Sequence, residues 1–308
     1  MKEIVIVSGK GGVGKSTITA SFGVLFSKKY KVVLADTDVD APNLALFFDV
    51  AEKNSYDIST SEKAYIAYGK CTGCLRCVEV CRFSSMVALH KKPVVIAYTC
   101  EGCGACMVVC PEKAIEIKRV ENGRITVYGT DHIIIVSGAL HIGESNSGGI
   151  VDEVKKIAKQ EAKKLNVDFI ITDGPPGIGC PVISSVKGSD YVIAVTEPTP
   201  AALRDLKRLI AVVKNFRIPA GIVINKSEID QKSGREIKGF AEKNEITVIS
   251  AIPYDLRIPE AIAKAMPVVD AYPDAPSSQA IRRLVDTVWT LVQSGAIEPA
   301  VAKKDKKG

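Results

Sequence analysis

The sequence contains no run of about 18 uncharged apolar residues, which is the length that a membrane-crossing helix needs. It also lacks a signal-peptide pattern at its start, because Met1, Lys2 and Glu3 lead directly into the strand-like residues 4–7. These two absences predict a soluble, cytoplasmic protein that makes no membrane contact.

The sequence has little excess charge of either sign. Its 41 Lys and Arg residues outnumber 35 Asp and Glu residues by six, and the segment 303–307 contributes three of those charges, as four lysines against one aspartate. A nucleic-acid-binding protein is expected to carry a stronger basic bias. The composition therefore predicts no nucleic-acid partner.

Cysteine is the residue type that is concentrated in one place. Eight of the nine cysteines lie between Cys71 and Cys110. Thiols stay reduced in the cytosol, so a cysteine-rich segment without a secretion signal indicates metal ligation more than disulfides.

Apolar strand-like runs alternate with helix-length amphipathic segments along most of the chain. This alternation predicts an α/β fold with a doubly wound, mainly parallel sheet. The pattern breaks between about residues 55 and 130, where glycines and cysteines replace it. We predict an α/β domain in two parts, 1–60 and 126–295, a small inserted α+β domain at 61–125, and a lysine-rich tail at 296–308. The predicted sheet strands are residues 4–7, 32–35, 133–136, 169–172, 191–195, 221–224 and 247–249.

The insert contains the pattern Cys-x₂-Cys-x₂-Cys-x₃-Cys twice, with the copies 29 positions apart. This spacing resembles that of bacterial ferredoxins with two [4Fe–4S] clusters, in which the fourth cysteine of each copy serves the other cluster. The resemblance implies one ligand set of Cys71, Cys74, Cys77 and Cys110 and a second set of Cys81, Cys100, Cys103 and Cys106. In the first copy Arg82 stands where the second copy has Pro111. Zinc, which usually takes two separated ligand pairs, and disulfides are the alternatives.

A phosphate-binding loop follows the first predicted strand. Residues 9–16 satisfy G-x-x-x-x-G-K-[ST] and precede a helical pattern. In such a loop the glycines let backbone N–H groups wrap phosphate oxygens. We therefore expect Lys15 to reach the β- and γ-phosphates and Ser16 to hold Mg²⁺. The predicted nucleotide-binding residues of this segment are Gly9, Lys10, Gly11, Gly12, Val13, Gly14, Lys15, Ser16 and Thr17.

Lys10 is an additional lysine inside this loop. With it, the segment from Lys10 to Ser16 resembles the loop of the MinD/Mrp/ParA ATPases, relatives of the nitrogenase iron protein. The resemblance implies a homodimer, or a heterodimer with a related ATPase, in which Lys10 reaches the partner's nucleotide and stabilises transition-state charge. The alternative is an exposed lysine on a loop.

Two acidic motifs follow predicted strands, where open α/β sheets place their ligand sites. The resemblance makes Asp38 the residue of the first switch that orients the attacking water, and Asp173 the residue of the second switch that holds Mg²⁺ through water. The implied catalytic residues are Lys10, Lys15 and Asp38, and the implied Mg²⁺ residues are Ser16, Asp38 and Asp173. An aspartate at a strand end also caps helices, which is the alternative for either one.

Adenine recognition is assigned by the same resemblance to Asn225, Lys226, Pro253 and Asp255. A guanine-specific N-K-x-D string would need aspartate at Glu228, so ATP is the expected nucleotide. Asn225 as an ordinary turn residue is the alternative.

Cys180 follows Asp173 by seven positions. In the nitrogenase iron protein a cysteine at this offset ligates a cluster that bridges the dimer. No second cysteine completes such a site here, and a small residue packed behind the switch is the other interpretation.

These motifs favour an ATPase whose dimer or switch changes gate electron transfer through two clusters to a metalloenzyme partner. The alternative is an ATP-dependent carrier or chaperone for iron–sulfur or metal cofactors, the usual role of Mrp relatives. A spatial organiser like MinD is disfavoured, since it has no use for eight cluster ligands. From residue 64 to 119, eight Lys and Arg outnumber four Glu, which favours an acidic partner.

Overall fold

The computed structural model describes residues 1–28, 31–130, 132–144, 147–167 and 169–294. The predicted tail at 296–308 lies outside these residues. No helix in this described part of the chain is both long and apolar enough to span a bilayer.

Within the described residues, nine strands form one large sheet in the order β13-β12-β11-β1-β10-β2-β9-β8-β3. The seven strands from β13 to β9 run parallel, whereas β8 and β3 pair in antiparallel fashion at the edge. The prediction of a mainly parallel sheet is confirmed. The strands are β1 Lys2–Ser8, β2 Val32–Asp36, β3 Ala51–Ile58, β4 Ser61–Ile66, β5 Met86–Leu89, β6 Lys92–Val95, β7 Ile115–Val120, β8 Gly123–Gly129, β9 Ile133–Leu140, β10 Phe169–Pro176, β11 Tyr191–Thr196, β12 Ala220–Asn225 and β13 Thr247–Ile252.

Helices cover both faces of this sheet, which is why its central strands are apolar on both sides. Alternate residues of β1 enter different cores: Ile4 and Ile6 pack with Phe22 and Leu284 on one face, while Val5 and Val7 pack with the opposite layer. The helices are α1 Lys15–Ser27, α2 Arg76–Glu79, α3 Ala105–Val108, α4 Ser147–Leu165, α5 Cys180–Val186, α6 Pro200–Asn215, α7 Gln231–Lys243, α8 Arg257–Ala263, α9 Val268–Ala271 and α10 Pro276–Gln293.

The large sheet continues into segments that the sequence pattern did not predict as strands. β3 is almost entirely polar and exposed, so it carries no apolar run, and β8 pairs with it while burying Ile125 and Val127 against the core. The predicted insert boundary at residue 125 falls inside β8. The separate small unit runs from β4 to β7, and we call these residues, 61–120, the insert.

The insert repeats its backbone path as well as its cysteines. β4 pairs with β7, β5 pairs with β6, and α2 and α3 occupy equivalent positions 29 residues apart. Left-handed backbone conformations recur with the same spacing at Gly73 and Gly102, Leu75 and Gly104, and Ser84 and Lys113. The two halves therefore follow one conformational pattern, even where the glycine of one half is a larger residue in the other.

Gly102 and Gly104 are matched in φ but not in their surroundings. Both have positive φ, 62° and 77°. A Cβ at Gly102 would collide with the backbone of Glu62 in β4, whereas a Cβ at Gly104 would meet no atom of the described residues within 4 Å. Only Gly102 is thus required by close approach of two chain segments.

We predict that Gly102→Ala destabilises the insert more than Gly104→Ala. Each change forces alanine into the left-handed region at a cost of about 1–2 kcal/mol. Gly102→Ala adds overpacking against a strand, typically about 1–3 kcal/mol. Hydrogen exchange across residues 61–120 measures the difference, with exchange of the large sheet as the internal control. Equal protection in the two variants would contradict the close-approach argument.

Candidate nucleotide site and cysteine cavities

The phosphate loop lies between β1 and α1, and its backbone conformation needs glycine. Gly12 and Gly14 have positive φ, and Gly14 is the N-cap residue immediately before α1. A side chain at Gly14 would collide with the Asn225 amide, and one at Gly9 with the backbone of Asp205. The glycines thus allow the loop to run tightly into the N-terminus of α1, where backbone N–H groups favour the binding of phosphate oxygens.

Lys15 and Asp173 meet inside the protein beside this loop. Lys15 is only 6% exposed and Asp173 is fully buried. Thr19 Oγ1 donates to Asp173 Oδ1 at 3.0 Å, whereas Oδ2 has no hydrogen-bond partner among the residues that the structure describes. Burial raises the pKa of Asp173 to about 6, with Lys15 and then the Ser16 hydroxyl opposing the rise. An unpartnered buried carboxylate oxygen beside Ser16 fits the hard oxygen ligands that Mg²⁺ takes.

Asp36, which sequence analysis did not select, shapes the first switch. It is the register partner of Asp173 in the sheet, and its carboxylate accepts hydrogen bonds from the N–H groups of Asp38, Asn43 and Leu44 at 2.9–3.2 Å. Burial first, and then the neighbouring Asp173, raise its pKa well above the usual range. Its signal in the sequence was its place at the end of β2.

Asp38 is half-buried at the end of the same strand. Burial raises the pKa of its carboxyl and Lys15 opposes the rise, so the two lie close enough to interact. Thr37, between Asp36 and Asp38, donates through both N–H and Oγ1 to the Asp173 carbonyl at 2.9 and 2.8 Å. The two predicted switches are therefore joined directly.

Glu197 is a second residue that sequence analysis missed. It follows β11 at the carboxyl edge of the sheet, and its Oε1 accepts from Lys10 Nζ at 2.9 Å while Oε2 accepts from Lys226 Nζ at 3.0 Å. Burial favours protonation, but the hydrogen bonds from Lys10 and Lys226 outweigh it and lower the pKa of Glu197. Lys226 Nζ also donates to the Gly12 carbonyl at 3.0 Å.

The predicted adenine residues have defined partners in this structure. Asn225 Nδ2 donates to the Val13 carbonyl at 2.7 Å, which ties it to the phosphate loop. The Asp255 carboxylate accepts from Arg257 and Ser277, and these bonds outweigh burial and lower its pKa to about 2. Asp255 thus anchors the start of α10. Adenine contact by these residues and by Pro253 stays a prediction.

The eight clustered cysteines line two separate cavities of the insert. The cavities enclose about 330 and 350 Å³ of empty space, including the part open to solvent. The first is lined by Cys71, Cys74, Cys77 and Cys110, and the second by Cys81, Cys100, Cys103 and Cys106. In each cavity the fourth cysteine comes from the other repeat.

Backbone N–H groups point at sulfur in both cavities. Ala114 N donates to Cys110 Sγ at 3.3 Å and Ala64 N to Cys100 Sγ at 3.4 Å. Across the described residues, no three cysteine, histidine or acidic side chains converge as the ligands of one metal ion. A [4Fe–4S] cluster does not need such convergence, because each of its four irons takes its own thiolate.

Cys180 is the first residue of α5, and its side chain is exposed. The interpretation of a small residue packed behind the switch is therefore wrong. The helix begins at the surface with Cys180, whereas Val182 and Val186 pack into the core.

We predict that Asp173→Asn stabilises the nucleotide-free protein at neutral pH. Folded Asp173 keeps its proton up to about pH 6, whereas the unfolded chain releases it near 3.8. The folded state thus binds more protons in that window, so the free energy of unfolding falls as pH rises through it. Asparagine does not titrate, so the variant avoids this loss in the free energy of unfolding, which amounts to at most about 3 kcal/mol at neutral pH.

Denaturant unfolding at several pH values, with exposed Asp274→Asn as the control, measures this effect. The same titrations with MgATP should show that Asp173→Asn loses most of the stabilisation that Mg²⁺ adds in the unaltered protein. A less stable nucleotide-free variant at neutral pH, or full stabilisation by MgATP, would contradict the assignment.

Comparison with known proteins agrees with this geometry. Residues 4–268 match the CobQ/CobB/MinD/ParA nucleotide-binding domain. An uncharacterised protein of Methanocaldococcus jannaschii is 37% identical over 285 residues, which are 92% of this chain and 95% of that protein. An iron-sulfur cluster carrier protein of Pyrococcus horikoshii is 25% identical over 302 residues, which cover 92% of this chain and 84% of that protein.

Among solved structures, the septum site-determining protein MinD of Pyrococcus horikoshii with Mg-ADP has a TM-score of 0.58 at 20% identity. The match covers 94% of this chain and 97% of MinD, and it shows a shared fold. The phosphate loop, the paired switches and the match over residues 4–268 lead to one conclusion. The chain belongs to the CobQ/CobB/MinD/ParA nucleotide-binding family and is an ATPase.

Proposed function

We propose that this ATPase uses nucleotide-driven changes in its switches and dimer to control electron transfer through two [4Fe–4S] clusters to a metalloenzyme partner. The observation that carries the proposal is that two cysteine quartets line separate cavities in one compact unit, which residues 140–144 connect to the first switch. A bound [4Fe–4S] cluster supplies one-electron redox chemistry over a wide range of potentials.

The chemistry of the cavities supports resident clusters. Each cavity offers four thiols, which is the full ligand set of a [4Fe–4S] centre. The N–H groups of Ala64 and Ala114 donate to cysteine sulfur atoms, and such bonds help set a cluster's potential. A complete ligand set favours a permanent redox centre over an exposed transfer site.

The first switch is bonded to the root of the insert through the end of β9. Leu140 N donates to the carbonyl of Val39, the residue after Asp38, at 2.8 Å. His141 N donates to the Asn122 carbonyl at 3.0 Å, and Asn122 Oδ1 accepts from Thr60 N at 2.8 Å. Displacement of the first switch is therefore felt where both chain connections enter the insert.

A buried ion pair extends this connection to the second cysteine cavity. Lys63 in β4 has a side chain only 3% exposed and pairs with Glu144 at 2.8 Å. Lys63 Nζ also donates to the Ala97 carbonyl at 2.6 Å, three residues before Cys100. We call residues 140–144 the joint, because they contact the switch on one side and the insert on the other.

The surface of the insert favours an acidic partner with an apolar contact area. Between residues 64 and 119 its net charge is +4, from eight basic and four acidic side chains. Val108 and Met107 of α3 are 80% and 44% exposed, and Val108 lines a surface cleft together with Arg76 of α2. Basic surfaces speed docking of acidic partners, and the exposed apolar side chains supply burial once docked.

The second candidate function is an ATP-dependent iron–sulfur or metal cofactor carrier. It is favoured by the Pyrococcus horikoshii relative, which is named an iron-sulfur cluster carrier protein. A carrier must release its cluster to an acceptor apoprotein, whereas a redox protein retains its iron through many turnovers. Iron retention during ATP hydrolysis separates the two functions.

We predict about eight iron and eight sulfide per chain after anaerobic reconstitution, from the ligand count of two [4Fe–4S] centres. Cys110→Ser should perturb the EPR signal of the cluster held by Cys71, Cys74 and Cys77. Cys81→Ser should perturb the other cluster, and exposed Cys180→Ser is the control that leaves both. About four irons or fewer, or stoichiometric zinc, would contradict the proposal.

We predict that Lys63→Met uncouples the insert from nucleotide while ATP hydrolysis continues. The variant keeps the length of the side chain but loses the bonds to Glu144 and Ala97. The measurements are EPR redox titration and hydrogen exchange of residues 58–66 and 120–129, with and without a non-hydrolysable ATP analogue. Lys118→Met, an exposed lysine of the same unit, is the control.

The unaltered protein and Lys118→Met should show a nucleotide-dependent change in protection or potential that Lys63→Met largely loses. A nucleotide response in Lys63→Met equal to that of the control would contradict transmission through the joint. Absence of any nucleotide response in all three proteins, alone and with an electron acceptor, would overturn ATP gating itself.

A further inference from the structure

Glu197 forms ion pairs with two lysines, Lys10 in the phosphate loop and Lys226 beside it. Its side chain is 9% exposed, and its two oxygens are divided between Lys10 and Lys226 at 2.9 and 3.0 Å. One carboxylate thus balances two ammonium groups at the mouth of the nucleotide site. A buried carboxylate is costly unless a cation is paired with it, and Lys226 meets this need even without Lys10.

The two lysines are held to different extents. Lys226 Nζ has a second acceptor, the Gly12 carbonyl, and its side chain is 29% exposed. The Lys10 side chain is 44% exposed, and among the residues that the structure describes Glu197 is its one hydrogen-bond acceptor. Lys226 is therefore a fixed crosslink, whereas Lys10 is held at a single contact.

The backbone of Lys10 is fixed independently of its side chain. Ser8 Oγ donates to the Lys10 carbonyl at 2.6 Å, and Gly177 N of the second switch donates to the Ser8 carbonyl at 2.8 Å. The Lys10 side chain can consequently leave Glu197 without moving the loop. Partly exposed ion pairs contribute little free energy, so this exchange is inexpensive.

We propose that Glu197 is a positioning residue for ATP hydrolysis: it holds Lys10 within its own protomer until a partner's nucleotide replaces the carboxylate, and it keeps Lys226 on the loop throughout. The proposal rests on the nucleotide-driven dimer of the proposed function and on the role predicted for Lys10 at the partner's nucleotide. A triphosphate offers Lys10 more negative charge than one carboxylate does, which drives the exchange on dimer closure.

Dimerisation then has an energetic cost that Glu197 sets. Breaking the contact between Lys10 and Glu197 opposes closure, so weakening it should favour the dimer. Glu197→Gln keeps the shape and an acceptor oxygen for Lys226 but removes the charge. The expected result is a reduction of about two- to fivefold in the protein concentration that gives half-maximal ATPase activity, the range of a weak ion pair.

The experiment measures ATPase rate against protein concentration, together with ATP-analogue-dependent dimerisation by analytical ultracentrifugation. The variants are Glu197→Gln, Glu197→Asp, Lys10→Ala and the Lys10→Ala/Glu197→Gln double variant. Glu228→Gln, an exposed acid nearby on the chain, is the matched control. Glu197→Asp retains the charge and should restore most of the original concentration dependence.

The effect of Glu197→Gln should vanish in the Lys10→Ala background, since the residue acts through Lys10. An unchanged concentration dependence in Glu197→Gln, with Lys10→Ala inactive, would overturn the positioning role alone. Full activity of a monomeric Lys10→Ala protein would instead overturn the role of Lys10 in the partner's site. Reduced nucleotide affinity in Glu197→Gln, persisting without Lys10, would show that Glu197 only supports the loop and contradict the proposal.

Discussion

Parallel pairing of β11, β1, β10, β2 and β9 is the constraint on which the rest of this structure depends. Because these strands run in the same direction, the groups that follow them meet at one edge of the sheet. The phosphate loop, Asp38 and Glu197 follow β1, β2 and β11, and Asp173 lies in the second half of β10. Their spacing is set by hydrogen-bonded register, so these residues are brought together before any ligand arrives.

The carboxylates at this edge of the sheet differ in how well neighbouring cations balance their charge. Asp36 and Asp173 are buried register partners, and burial raises both pKa values; the charge of Asp173 adds to the rise at Asp36, and that of Asp38 adds to the rise at Asp173. One Asp173 oxygen has no hydrogen-bond partner among the residues that the structure describes. Glu197 is the opposite case, since Lys10 and Lys226 stabilise its ionised form. A bound divalent cation would offset the negative charge of Asp36 and Asp173, and under the proposed exchange a phosphate of the partner's nucleotide would compete with Glu197 for Lys10. Binding energy at the site is thus available for conformational change.

The insert is a separate structural unit that is nevertheless bonded to the rest of the protein. Its internal repeat and its own small sheets make it a self-contained unit, yet the joint bonds it to the first switch through Leu140 and His141, and Lys63 pairs with Glu144. Coupling between sites requires an element that both of them bias. By its contacts the joint is the candidate for such an element, because Leu140 N of the joint is bonded to the switch at Val39 and Glu144 of the joint pairs with Lys63 of the insert.

The sequence by itself determined the phosphate loop, the alternating α/β pattern and the two cysteine repeats. Each depends on residues that are close along the chain, since a loop that wraps phosphate or presents three thiols is built from contiguous backbone. Only the tertiary structure decided that Lys10 and Lys226 share Glu197, that Lys63 pairs with Glu144, and that polar β3 joins the large sheet. These features come from residues far apart in the chain or from exposed edges, where pairing and packing, not local pattern, select the partner.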